Sequence, residues 1–281
     1  MKKITILLFA SLFLILSCEE ASIVIHPDME VDPTDTTDTD STVRQVLIEE
    51  FTGVRCVNCP EGSIAIENLL ETYDEQLVAI SIHSGFFAPP LSESQYDFRF
   101  SDADNLLSFL GEPVGYPTAV VNRKIFDGES SLQLLGQTKW AGRIAEEIEV
   151  APKVDIEIVR EFDDATRELT ATVRLNIEET ITEDDVRITV LMTESGIMDA
   201  QLTPTGIVED YSHKHVLRGF VTNYNGDPIT ESLTAGSEIV KEYTYTLPED
   251  WVASKCTVVA LVSLGGAELD VLQAHEVGVV E

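Results

Sequence analysis

Apolar residues recur at two different periods along this chain, and the change between them falls near Pro152. Before it, short apolar runs alternate with stretches of helical spacing. RQVLIEEF (44–51) reads as a buried strand, and QLVAISIH (76–83), apolar and β-branched, as a second. Between them, PEGSIAIENLLETY (60–73) sets Ile64, Ile66, Leu69 and Leu70 on the apolar face of a helix. Pro60 suits its first turn, where a missing N–H costs nothing. SDADNLLSFLG (101–111) predicts a short helix between a Ser cap and a Gly stop. YPTAVVNR (116–123) predicts a third strand, and RKIFDG (123–128) leads into a fourth. SLQLLGQTKWAGRIAEEIEV (131–150) closes the unit as a helix weakened by Gly136 and Gly142. The stretch from Gly85 to Phe100, with Pro89-Pro90 and several aromatics, is a long insertion, either a lip over a neighbouring site or a packed loop.

After Pro152 the period is two. KVDIEIVRE (153–161), ELTATVRLNIE (168–178), VRITVLMTE (186–194), HVLRGFV (215–221), EIVKEYTYTL (238–247), CTVVALVSL (256–264) and ELDVLQAHEVGVV (268–280) each alternate or run apolar between turn signals. Seven strands at such spacing predict an all-β antiparallel sandwich, immunoglobulin-like in architecture only, since no Cys…Trp…Cys pattern accompanies them.

The N-terminus belongs to neither region. Lys2 and Lys3 precede an unbroken apolar run from Ile4 to Leu16, too short to span a membrane comfortably, and Ser17-Cys18 ends it. LILSC resembles a bacterial lipobox, which implies a signal peptide over 1–17 and a membrane anchor through acylated Cys18. The following residues, 18–43, contain PDMEVDPTDTTDTDST (27–42), which has almost nothing to bury and reads as an acidic disordered spacer. Its Asp-Thr-Thr (35–37) and Asp-Ser-Thr (40–42) resemble short O-glycosylation acceptors, although a plain solvated spacer explains them as well. A calcium loop is disfavoured by the missing glycine at position six and glutamate at position twelve. The domain plan is thus 1–17, 18–43, 44–151 and 152–281.

Composition narrows the partners. The 281 residues carry 50 acidic against 18 basic side chains, a net charge of −32, with no Lys/Arg cluster. Nucleic acid and anionic lipid both require basic patches and are disfavoured. With 44% hydrophobic residues there is ample material for cores, so the charge is a surface property.

Apart from Cys18, the cysteines are Cys56, Cys59 and Cys256. Cys256 alternates with Val258, Ala260 and Val262 on one strand face and reads as a buried thiol behaving as a small hydrophobe. Cys56 and Cys59 stand in FTGVRCVNCPEG (51–62), between the first strand and its helix. At a helix mouth, unpaired N–H groups and the dipole favour thiolate, so Cys56 is expected to be the exposed nucleophile and Cys59 the shielded resolving partner. Arg55 adds positive charge beside Cys56.

The order strand, helix, strand, helix, strand, strand, helix over 44–150, with this dithiol in this place, resembles the thioredoxin fold. The resemblance implies that Pro117, after Tyr116, is the cis-proline beside the cysteines. It also implies that Glu50, six residues before Cys56, is the buried carboxylate assisting proton transfer. Arg55 and Val57-Asn58 depart from the Trp and Gly-Pro of thioredoxins, so the reductive poise does not transfer. The lipobox, FTG…CxNCP and DYSHKHVLRG (210–219) together resemble the Omp28-related outer membrane lipoproteins of Bacteroidota. That resemblance implies an envelope location, periplasmic or surface-facing, and leaves the biochemical role open.

Two readings of the dithiol stand. It is a thiol–disulfide exchange centre acting on envelope proteins, or a permanent disulfide staple in a scaffold whose β half binds a partner. Zinc needs four Cys/His ligands, and no second CxxC or paired His lies suitably in this domain. His213 and His215, two apart, would share a side on a strand; imidazoles flanking a turn are the simpler reading, and packing or capping is the simpler role for His83. No Gly-rich phosphate loop, nucleophile elbow or HExxH motif supports a kinase, hydrolase or zincin, and no cofactor is expected.

Overall fold

The structure, a computed structural model, describes residues 42–280. The signal segment, Cys18, Asp35–Thr37 and nearly all of the acidic spacer lie outside the described residues.

The first half is mixed α/β. Its elements are β1 (Val46–Thr52), α1 (Cys59–Tyr73), β2 (Leu77–His83), α2 (Ser101–Leu110), β3 (Thr118–Val121), β4 (Leu134–Leu135) and α3 (Gln137–Ile148). β1 pairs parallel with β2 and antiparallel with β3, which pairs antiparallel with β4. β1 and β2 are buried along their whole length because helices cover both faces. On one face Ile66 and Leu69 of α1 and Trp140 and Ile144 of α3 pack against Ile48 and Ala79. On the other, Leu106, Leu107 and Leu110 of α2 pack against Phe51, Ile80 and Ile82. Ile64, expected on the apolar face of α1, is 60% exposed.

Residues 123–128 form no strand, contrary to the sequence expectation, and the fourth strand is only Leu134–Leu135. The cause is polar. Asn122 and Arg123 take left-handed backbone angles, which turn the chain and send the Arg123 guanidinium inward onto Glu49, at 2.9 and 2.7 Å. Both side chains are fully buried, so a bidentate pair replaces the strand that RKIFDG would have made. Asn122 completes the turn, accepting from the Leu47 N–H at 2.8 Å and donating to Glu147 at 3.0 Å.

The second half is antiparallel and β-rich. It comprises β5 (Val154–Asp163), β6 (Glu168–Ile177), β7 (Val186–Glu194), β8 (Ile197–Thr203), β9 (Gly206–His213), β10 (Val216–Phe220), β11 (Asp227–Pro228), β12 (Glu238–Thr246), β13 (Cys256–Leu264) and β14 (Val271–Gly278). All seven expected strands are present; β8, β9 and the two-residue β11 were not expected.

These strands do not form a separate set of sheets. β14, β13, β7 and β10 continue the α/β sheet, giving the order β14-β13-β7-β10-β2-β1-β3-β4. The junction is β10 beside β2, where the Ser81 N–H donates to the His215 carbonyl at 2.7 Å. Alternation in sequence marks which side of a strand is apolar but not which edge it joins, so the continuity is invisible there. β11 pairs with β7, β8 and β9 form a two-stranded sheet, and β12, β6 and β5 form a three-stranded sheet. Val173 and Leu175 from it meet Val190, Met192 and Val258 from the large sheet. Cys256 is buried in that core as expected, and burial pushes its thiol up to about 12. The opposite side of β7 and β13 presents Leu191, Val259 and Leu261 to the cluster under α2, so one apolar core serves both halves.

Candidate functional site

The turn between β1 and α1 carries a Cys56–Cys59 disulfide. Cys59 opens α1, with Pro60 in the first turn as expected. The Tyr116–Pro117 peptide is cis, as the thioredoxin resemblance implied.

Glu50 lies beneath this helix and is fully buried. Its Oε2 accepts from the Ser81 hydroxyl at 3.3 Å, and its Oε1 has no partner. Burial therefore pushes its carboxyl up to about 8, only partly countered by hydrogen bonds. Gly62 makes the approach possible. A Cβ there would come within 2.5 Å of Glu50 Oε1 and 2.9 Å of Pro117 Cβ, so the absent side chain lets α1 settle on both residues. The four residues that the sequence and the thioredoxin resemblance grouped, Cys56, Cys59, Glu50 and Pro117, are thus brought together around the first turns of α1.

Cys56 is not the exposed thiol expected. It is 3% exposed and Cys59 1%. Two segments cover them. The insertion 85–100 is fastened to the turn by the Arg55 N–H donating to the Phe87 carbonyl at 3.0 Å. The Arg55 side chain, expected to acidify Cys56, is instead committed to the Pro89 and Pro90 carbonyls at 2.8 and 2.6 Å. The second cover is the unforeseen β8–β9 hairpin. Its Gln201 Nε2 donates to the Cys56 carbonyl at 3.1 Å, and its Leu202 N–H donates to the Val54 carbonyl at 2.8 Å. Fully buried Asp199 joins the two covers by accepting from the N–H groups of Gln95 and Tyr96 at 2.7 and 3.1 Å. The insertion is therefore a lip over the disulfide, clamped by a hairpin whose one clear sequence signal is the TPTG turn (203–206).

Beside the disulfide is a cavity of about 220 Å³ between α1, the ends of β1 and β2, and β9. Cys59 lines it and Cys56 does not. His83 and His213 line it as well, with ring centroids 5.5 Å apart and Phe98 against both. Both imidazoles are nearly completely buried, and His83 Nδ1 and His213 Nε2 have no hydrogen-bond partner. Burial lowers both rings, His83 well below the usual histidine range and His213 to about 4, so both are neutral at pH 7. His213 and His215 do not share a strand face. β9 ends at His213, His215 turns with positive φ, and its Nε2 meets Glu67 at 3.1 Å. His213 pairs with His83 across the fold, a proximity that the two-residue spacing could not show. Among the described residues no three His, Cys, Asp or Glu side chains converge in a metal-holding arrangement.

The family model for "Outer membrane protein Omp28" matches residues 112–281. The chain belongs to the Omp28 family. The match takes in Pro117, His213 and all the antiparallel strands, while the disulfide lies ahead of it. HBP35 of Porphyromonas gingivalis is similar in structure, with a TM-score of 0.68 at 18% identity over 85% of this chain and 76% of that one, which shows a shared fold. A domain of the outer membrane lipoprotein Omp28 from the same organism matches 46% of this chain and 90% of its own at 22% identity, with a TM-score of 0.31 too low to carry an argument. No curated protein matches the sequence. The Omp28 family is one of outer membrane proteins, and no helix among the described residues is long and apolar enough to cross a membrane.

Proposed function

We propose that this Omp28 protein is a lipid-anchored envelope protein whose thioredoxin-like half performs thiol–disulfide exchange through Cys56 and Cys59. Cys18 is the proposed anchor, envelope disulfides are the proposed substrates, and the facing sheets of the β-rich half are proposed to be an immunoglobulin-like sandwich. The observation that carries the reading is Glu50. A carboxyl buried without a partner on Oε1 costs stability, and a disulfide staple has no use for it. A dithiol that gains and loses protons does. With its pKa at about 8, Glu50 is neutral at pH 7 and close enough to thiol values to exchange a proton with Cys59. The glycine at 62 supports the same reading, since it lets the carboxyl, the helix and Pro117 meet.

The burial of both cysteines favours the second reading, a disulfide staple in a non-enzymatic surface scaffold. The test is exchange itself. The reduced protein is mixed with a small test disulfide, and free thiol is followed for the native chain and a Cys56→Ser/Cys59→Ser variant. The exchange reading expects one disulfide reduced per protein molecule by the native chain and none by the variant. A native chain that stays reduced beside the test disulfide leaves the staple.

A further inference from the structure

Resting on that exchange reading, we infer that the partner of the disulfide is a low-molecular-weight thiol of the amino-acid class, which enters the cavity beside α1 and reacts at Cys59 rather than at Cys56. Access decides this. Both cysteines are nearly completely buried, Cys59 slightly more than Cys56, but Cys59 alone of the two lines the cavity of about 220 Å³. That volume lies below the ~300–1,000 Å³ of pockets for drug-sized ligands, and it suits a molecule the size of cysteine better than a strand of a folded protein.

The lining matches such a molecule at both ends. The floor holds the unpartnered nitrogens of His83 and His213, each ring 4% exposed or less, which offer hydrogen bonds that nothing in the protein takes up. The mouth carries Glu67 and Lys214, one anion and one cation in contact with each other. The hydrogen bond from His215, with Lys214 beside it, holds the Glu67 carboxyl down at about 2, so it stays ionised at any physiological pH. An α-ammonium against Glu67 and an α-carboxylate against Lys214 complement that pair.

The chemistry also favours attack at Cys59. A thiolate RS⁻ attacking the Cys59 sulfur forms the mixed disulfide RS–S–Cys59 and breaks the Cys56–Cys59 bond, with the electron pair leaving on Cys56. Cys56 is the better leaving group because it stands just outside the mouth of α1, where unpaired N–H groups favour thiolate. A second RS⁻ then attacks the R sulfur, releasing RSSR and a Cys59 thiolate. Two RSH are oxidised to one RSSR while the protein disulfide takes up two electrons and two protons. Glu50, hydrogen-bonded to the cavity-lining Ser81, is positioned to hand a proton to Cys59. The reverse sequence reduces cystine-like disulfides.

The test uses the full chain. Reduction of the disulfide is timed with L-cysteine, cysteamine (no carboxylate), 3-mercaptopropionate (no ammonium) and dithiothreitol at matched thiolate concentration. The reduced Cys56→Ser and Cys59→Ser variants are also each reacted with one equivalent of cystine, and the adduct that forms faster is mapped by mass spectrometry. The expected result is cysteine about tenfold faster than either truncated thiol, the faster adduct on Cys59, and a preference over cysteamine, the thiol without a carboxylate, that collapses towards one in Lys214→Ala. Lys214 is about half exposed, so the variant folds, which its thermal melt checks. A faster adduct on Cys56, equal rates for the three thiols, or faster exchange with a disulfide-bonded protein than with cystine overturns this inference and leaves the exchange reading intact. Failure of every thiol, dithiothreitol included, overturns the exchange reading itself.

Discussion

The Gln201 side chain donates to the Cys56 carbonyl at 3.1 Å, across 145 residues of sequence, and in the same position reaches the Leu202 carbonyl at 3.0 Å. A residue of the β-rich half therefore fixes the turn that carries the disulfide. Gln201→Leu removes the donor and leaves the Cys56 carbonyl only the Cys59 N–H at 3.3 Å, a loss of about 0.5–1.5 kcal/mol. The same substitution loosens the cover, so alkylation of Cys56 in the reduced protein should speed up several-fold relative to the native chain. Chemical denaturation and a timed iodoacetamide reaction check the two effects. An unchanged alkylation rate would show that the hairpin does not control access.

Glu50 sets a pH signature. Its carboxyl is raised by burial from 4.5 to about 8, so between these values the folded state binds a proton that the unfolded state has released. Stability from this group is then full below about pH 4.5 and falls as pH rises towards 8, with a limiting slope of ~1.4 kcal/mol per pH unit. Glu50→Gln should flatten that fall and leave a more stable protein at pH 8. Exchange should slow by at least tenfold in the same variant, since general acid–base assistance contributes ~10²–10⁴. Urea titrations at several pH values and exchange rates against pH measure both; a gain in stability with no loss of exchange would make Glu50 a mere burial defect.

The shared core bears on whether residues 152–281 form an independent unit. Leu191, Val259 and Leu261 are fully buried against the cluster under α2, and Arg44 holds the Val271 carbonyl at 2.9 Å. A fragment spanning 153–281 exposes that face and the β10 edge, so it should bind a hydrophobic dye or self-associate, and adding a 44–151 fragment should suppress this. A monomeric, cooperatively unfolding 153–281 fragment would establish an autonomous domain.

How much of this was legible in the sequence depended on the range of the interactions involved. β1, α1 and β2 were readable within one or two residues because their apolar runs and Pro60 act locally. Cys56 and Cys59 were readable as a dithiol between β1 and α1, whereas Glu50 and Pro117 came from the thioredoxin resemblance, which ties Glu50 to β1 and Pro117 to the start of β3. RKIFDG misled because Arg123 turns inward to Glu49, a pairing over 74 residues that no local propensity reports. The β8–β9 hairpin was missed because Asp199 and Gln201 are polar yet buried, and β9 is largely exposed, so neither strand alternates cleanly. With the hairpin unseen, the burial of Cys56 and the meeting of His83 with His213 were out of reach.

The N-terminal anchor stands on LILSC alone. Cys18→Ala should release the protein from the membrane fraction or block its processing, which fractionation with and without detergent reveals. A variant that still partitions into membranes and needs detergent for release would refute acylation at Cys18.

The equilibrium reduction potential of the Cys56–Cys59 pair tests the account most directly. The full chain is equilibrated in thiol–disulfide buffers of defined poise, and the reduced fraction is read by mass spectrometry after alkylation. An exchanging disulfide must lie within reach of its redox partners, above about −300 mV, and must come to equilibrium from both the oxidised and the reduced side. A potential below about −300 mV, with no exchange on the timescale of the buffer, is the behaviour of a structural staple and would contradict the account.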